Sequence, residues 1–97
     1  MNILEWLQNW YQKHCVHEWE HSYGVKVETL DNPGWLVQID VRETPLENKP
    51  FPMIDQDRGE GDWIFCKVEN CVFQGVGDPQ KLARILEAFR EWAEENC

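Results

Sequence analysis

The sequence predicts an α+β domain: an antiparallel sheet of about four strands, in two hairpins, flanked by an N-terminal and a C-terminal helix. Apolar residues recur at helical spacing near both ends of the chain, and four strand-like segments lie between them. This order favours a sheet with both helices packed on one face. The length of 97 residues is typical of a single domain spanning 1–97.

The first helix is predicted over residues 2–14. Its apolar side chains fall on one side of a helical wheel, and Asn2 is well suited to cap the N-terminus. The members of this apolar set are Ile3, Leu4, Leu7, Trp10 and Tyr11.

A first hairpin is predicted from residues 23–29 and 35–41, which both alternate apolar and polar side chains. The Asp-Asn-Pro-Gly sequence between them is a strong turn signal. The two apolar sets share a face when Val27 pairs with Val37, whereas a one-residue slip would place Val37 opposite Glu28. We therefore expect a loop with an odd number of residues.

Residues 43–61 break the alternating pattern. Three prolines disfavour a central strand, and residues 55–62 are polar, acidic and rich in glycine. We predict an exposed loop here, with a short edge strand near Phe51–Ile54.

A second hairpin is predicted from residues 63–68 and 71–75, with Glu69 and Asn70 at its turn. Asn70 tolerates the left-handed conformation that such turns require. The side chains expected on one face are Ile64, Cys66, Val68, Cys71 and Phe73.

The second helix is predicted to begin at Asp78 as N-cap, with Pro79 in the first helical position. A continuous apolar stripe follows, formed by Leu82, Ile85, Leu86, Phe89, Trp92 and Ala93. With both helices on one face of the sheet, the opposite face would be partly open. Leu36, Trp63 and Phe65 are candidates for that face.

The charge of the chain limits the partners that it can bind. Eighteen acidic and nine basic residues give a net charge of -9, which should repel nucleic acid and anionic membranes. No segment approaches the ~20 apolar residues of a membrane span, and the N-terminus does not resemble a signal peptide. We therefore expect a cytoplasmic protein with reduced cysteines and no cofactor.

Two groups of residues could carry chemistry. Cys15, His17 and His21 lie close together in sequence and are types that bind zinc, although no second cysteine pair at zinc-finger spacing accompanies them. Cys15 or Cys66 could act as a thiol nucleophile with a histidine, but no motif orients such a pair. Cys66 and Cys71 suit two small buried thiols better than a disulfide, and the sequence leaves open whether they are ever oxidised.

The acidic loop has two interpretations. It is either a solvated segment or a contact surface for a basic partner, and its spacing matches a calcium loop only loosely. Its four acidic residues are Asp55, Asp57, Glu60 and Asp62.

Long stretches of the chain resemble the immunity protein 53 family. The most specific is Thr29-Leu30-Asp31-Asn32-Pro33-Gly34-Trp35, within a longer run that begins at Glu5-Trp6-Leu7. The others are Leu46–Phe51, Asp62–Ile64, Cys66–Glu69, Phe73, Gly75 with Gly77–Pro79, and the closing helix to Trp92. The resemblance implies a small cytoplasmic protein of a bacterial polymorphic toxin system, which binds and neutralises a toxin and is not an enzyme.

This resemblance agrees with the composition. A strongly acidic protein associates rapidly with a basic partner, such as a toxin domain that acts on nucleic acid as a nuclease. Tryptophans beside acidic residues would serve as anchors in a polar rim, with core packing as the alternative for each. The candidates are Trp19 between Glu18 and Glu20, and Trp63 beside Asp62. A structural interaction module unrelated to toxins remains an alternative, and the chain could be a monomer or a homodimer.

Overall fold

The computed structural model describes residues 2–15 and 19–96, apart from the side chains of Glu20 and His21. It contains three helices and five strands in these ranges. They are α1 (Ile3–Lys13), α2 (Trp19–Ser22), β1 (Val25–Leu30), β2 (Gly34–Asp40), β3 (Ile54–Asp57), β4 (Trp63–Glu69), β5 (Val72–Gly77) and α3 (Leu82–Glu95).

The strands form one antiparallel sheet in the order β1-β2-β5-β4-β3. The two predicted hairpins are confirmed, and they join through the pairing of β2 with β5. The remaining strand, β3, belongs to neither hairpin. It is the predicted short edge strand, but it begins at Ile54 instead of near Phe51. Pro50 and Pro52 precede it, and their missing N–H groups explain why the ladder starts only after them.

The first hairpin has the predicted register. Val27 pairs with Val37, and the strands close on Leu30 opposite Gly34, which leaves a loop of odd length as expected. Val37 is fully buried, so the register places the alternating apolar set of β2 in the core.

The second hairpin turns one residue later than predicted. Asn70 and Cys71 both have positive φ angles, 54° and 62°, as the two-residue turns of tight hairpins require. Glu69 therefore pairs with Val72, and Val68 pairs with Phe73. Cys71 is therefore a turn residue instead of a strand residue, although it is partly buried and packs against the core, and Phe73 is fully buried.

The helices cover one face of the sheet. Asn2 caps α1 as predicted, its side chain accepting a hydrogen bond from the Glu5 backbone at 2.9 Å. The predicted apolar stripe of α3 is buried except for Leu82, which is half-buried. Gly75 on β5 allows α3 to approach closely, because a Cβ at that position would collide with Cγ2 of Ile85.

Aromatic rings join the two helices to the sheet. Phe89 of α3 is fully buried and makes edge-to-face contacts with Phe73 of β5 and with Trp6 and Trp10 of α1. Such pairs add to the free energy of burial, by about 0.5–1.5 kcal/mol each in typical cases. The core thus lies on the side of the sheet that faces the helices.

Candidate functional site

The opposite side of the sheet faces away from the helices, and we call it the open face. It carries the side chains that alternate with the buried ones, and the part of the chain that the structure describes places no helix over it. The predicted candidates Leu36, Trp63 and Phe65 all lie on this face and are half-buried.

The predicted acidic residues lie along one border of the open face. Asp55 and Asp57 are on the edge strand β3, paired with Phe65 and Trp63, so their exposed side chains point to the open face. Glu60 and Asp62 follow in the connection to β4. We call these four residues the acidic edge.

A compact turn holds the acidic edge in place. The backbone of Arg58 donates to the carbonyl of Asp62 at 2.8 Å, and Asp57 accepts a side-chain hydrogen bond from the N–H of Gly59 at 3.1 Å. Gly59 has a φ of 130°, which side chains rarely allow. The predicted irregular loop is therefore shorter than expected, and its acidic residues sit on a defined backbone.

A buried carboxylate fixes the start of β4. Asp78 is fully buried, and it accepts hydrogen bonds from the backbones of Trp63 (2.9 Å) and Gln80 (2.8 Å) and from Lys81 Nζ (2.8 Å). The Lys81 hydrogen bond is the main reason why the pKa of Asp78 falls to about 2. Asp78 is not the N-cap of α3, which begins at Leu82, because its oxygens are used by the turn and by β4.

Lys81 connects this carboxylate to the acidic edge. Its Nζ lies 2.8 Å from Asp78 and also 2.8 Å from Asp62, and these two hydrogen bonds, Asp62 first, raise the pKa of Lys81. The charge of Asp62 is therefore compensated by Lys81 within the same chain. The described residues hold no ion-pair partner for Asp55, Asp57 or Glu60, which keep their charge available to a ligand.

Trp63 forms the wall of a shallow groove beside the acidic edge. Its ring crosses the open face toward Gly34, where a Cβ would lie 3.4 Å from ring atom Cζ2. The groove has a volume of about 400 Å³ and is lined by Asn32, Asp57, Gly59, Glu60 and Trp63. A cation entering it would meet two carboxylates and an aromatic ring.

Trp19 is a core residue and does not provide an exposed anchor. Only 4% of its surface is exposed, its ring packs edge-to-face on Trp10, and its Nε1 donates to the carbonyl of Arg42 at 2.9 Å. The expectation of an exposed Trp19 ring is wrong, because tertiary contacts from α1 and from Arg42 cover the ring. Glu18 and the side chain of Glu20 lie outside the described residues.

A comparison with models of known protein families identifies the family of this chain. The model of the family described as Immunity protein 53 matches residues 4–94, nearly the whole sequence. The chain belongs to the immunity protein 53 family. The match covers the whole sheet, the acidic edge and α3 as far as Glu94, so the candidate site lies within the part shared with the family. Comparison with curated proteins and with solved structures finds no match.

The three described thiols of this immunity-family chain are either buried or hydrogen-bonded to backbone carbonyls. Cys66 is fully buried, and burial raises the pKa of its thiol to about 11, so it stays protonated at neutral pH. The Cys71 thiol donates to the carbonyl of Glu47 at 3.6 Å, and Cys15 donates to the carbonyl of Tyr11 at 3.2 Å. The three described cysteines are free.

The predicted alternative of a metal site depends on residues that are only partly described. Cys15 is described, whereas His17 and the side chain of His21 are not. Within the described ranges, no three His, Cys, Asp or Glu side chains are grouped so that they could hold a metal ion. No helix in those ranges is long and apolar enough to cross a membrane.

Proposed function

We propose that this chain neutralises a cognate bacterial toxin by binding the toxin domain and occluding its active site. Membership of the immunity protein 53 family supports the toxin-neutralising role. The acidic edge and Trp63 would form part of the contact surface, with the whole chain acting as one non-enzymatic binding domain. The toxin surface that they bind would be basic, as expected of an enzyme that acts on nucleic acid.

The observation that carries this proposal is the set of carboxylates beside Trp63 that have no ion-pair partner among the described residues. Asp57 and Glu60 line the groove with the tryptophan ring, and Asp55 lies two residues along the same strand. An arginine or lysine of the toxin would gain charge-assisted hydrogen bonds and a cation–π contact there. Arginine fits best, because its planar guanidinium can stack on the ring while it donates to a carboxylate.

Long-range electrostatics supports the same proposal. The net charge of -9 attracts a basic protein from a distance and accelerates encounter, which an inhibitor of a lethal enzyme requires. Asp62 contributes to this field less than its three neighbours, because Lys81 neutralises it within the protein.

Growth rescue tests the proposal. The toxin domain encoded beside this gene is expressed in a sensitive host with the wild-type chain, or with the triple variant Asp55→Asn, Asp57→Asn and Glu60→Gln. We expect the wild-type chain to restore growth and the triple variant to restore much less. Asn at position 57 retains the oxygen that accepts from Gly59, so the turn should persist.

A matched control variant separates the effect of the acidic edge from the effect of net charge. The triple variant Glu91→Gln, Glu94→Gln and Glu95→Gln changes the net charge equally, on exposed positions of α3 away from the open face. It should rescue as well as the wild-type chain. Equal rescue by both triple variants would show that the acidic edge is not part of the interface. Absence of rescue by the wild-type chain would refute the neutralising role.

A further inference from the structure

We infer that the toxin docks on the open face across a row of five side chains, and that it presents an apolar patch between two basic groups. This inference rests on the proposed function and specifies its contact surface. The row follows from the strand register, which places its members side by side from one edge of the sheet to the other. In order they are Glu28, Leu36, Val76, Phe65 and Asp55.

The centre of the row is apolar. Leu36, Val76 and Phe65 lie on the three interior strands, and all three remain partly exposed on the open face. Trp63 adjoins Phe65, two residues away on the same side of β4. Contiguous apolar side chains on a face with no covering element among the described residues are typical of a binding surface.

The two ends of the row are acidic. Glu28 on β1 and Asp55 on β3 are exposed, and neither has an ion-pair partner among the described residues. They are separated by four strand spacings, or about 19 Å at ~4.8 Å each. The next row ends in Lys26 and Lys67, so that row has basic ends and would not attract the same basic groups.

The charges select a basic partner over a second copy of this chain. If two open faces met with their rows aligned in either direction, the acidic ends of one row would oppose those of the other. Each chain also carries a net charge of -9. A toxin with basic groups about 19 Å apart would pair with both ends and cover the apolar centre.

Two variants on one strand test the apolar centre. Val76→Thr places a hydroxyl in the row, and Val72→Thr makes the same change on the same face but outside the row. Threonine suits a strand, so both variants should fold. With the purified, catalytically inactivated toxin domain encoded beside this gene, Val76→Thr should raise Kd at least about fivefold, because a buried hydroxyl would lack a partner. Val72→Thr should bind within about twofold of the wild-type chain.

Charge reversal tests the ends of the row. The double variant Glu28→Lys and Asp55→Lys should associate at least about tenfold more slowly at low salt. The double variant Glu91→Lys and Glu95→Lys on α3 has the same net charge and should remain within about threefold of the wild-type rate. Thermal unfolding of each variant establishes that it is folded.

The outcomes separate this inference from the proposed function. If the wild-type chain binds and rescues growth while the Val76 and charge-reversal variants bind as it does, the row is not the interface, although neutralisation stands. If the wild-type chain neither binds nor rescues, both proposals fail. A wild-type dimer that dissociates on Val76→Thr would assign the open face to self-association and overturn the inference.

Discussion

Replacing Gly75 with alanine should destabilise the fold, because α3 rests against this position. The new Cβ would collide with Cγ2 of Ile85 and lie 3.4 Å from Sγ of Cys66, and both neighbours are fully buried. The branched side chain of Ile85 has little rotamer freedom with which to yield. Overpacking of this kind costs about 1–3 kcal/mol.

Part of that cost is offset in the unfolded chain. Alanine restricts the unfolded state more than glycine does, which favours folding by about 0.4–1 kcal/mol. The net loss should be about 1–2 kcal/mol, or a fall in Tm of about 5–15 °C for a domain of this size. Urea unfolding followed by circular dichroism measures the free energy, and a thermal scan gives the Tm.

Two comparisons make the result specific. Gly24 has open space where a Cβ would be placed, so Gly24→Ala should leave the stability unchanged or slightly raised. In an Ile85→Ala background, Gly75→Ala should cost close to nothing, which gives a coupling energy of about 1–2 kcal/mol. If Gly75→Ala is as stable as the wild-type chain, α3 does not lie against β5, and our distinction between covered and open faces fails.

Two further predictions concern buried titratable groups. Asp78→Asn should lower the stability at pH 7, because the amide cannot replace the charged acceptor of Lys81. The pKa of Asp78 is lowered to about 2, so its stabilisation is present above about pH 4 and is lost as the pH falls toward 2. The urea midpoints of variant and wild type should therefore converge in acid, and a constant gap would contradict the charge argument. Cys66, whose burial raises its pKa, should resist iodoacetamide at pH 7.5 in the folded chain and react after unfolding, as peptide mass spectrometry would show. Rapid alkylation of the folded protein would contradict this.

Local sequence signals predicted the first hairpin with its register. Alternation in both strands and a strong turn signal leave one pairing that places Val27 opposite Val37, on the same face as the buried side chains of β2. The turn of the second hairpin was predicted one residue too early. It uses Cys71 in a left-handed conformation, for which cysteine has no special preference. The edge strand was placed too early, since proline excludes ladder positions but does not indicate where pairing begins.

Long-range contacts account for what the sequence could not predict at the site. Asp78 was expected to cap the helix that follows it, yet one of its oxygens accepts from Trp63, fifteen residues earlier. The burial of Trp19 likewise depends on tertiary contacts, with Trp10 of α1 and with the carbonyl of Arg42, 23 residues later in the chain. The exposure of the acidic residues could be predicted from the polar, glycine-rich composition of their segment. The alignment of Asp55 with Phe65, by contrast, exists only once the strands have paired.

The most direct test of toxin neutralisation is a titration of toxin activity with the purified chain. A fixed amount of the toxin domain encoded beside this gene is mixed with increasing amounts of the folded protein, and the residual toxin activity is measured. We expect toxin activity to fall to background at one equivalent of the chain, and the two proteins to elute together as a complex. Full toxin activity in the presence of excess folded chain would contradict this expectation.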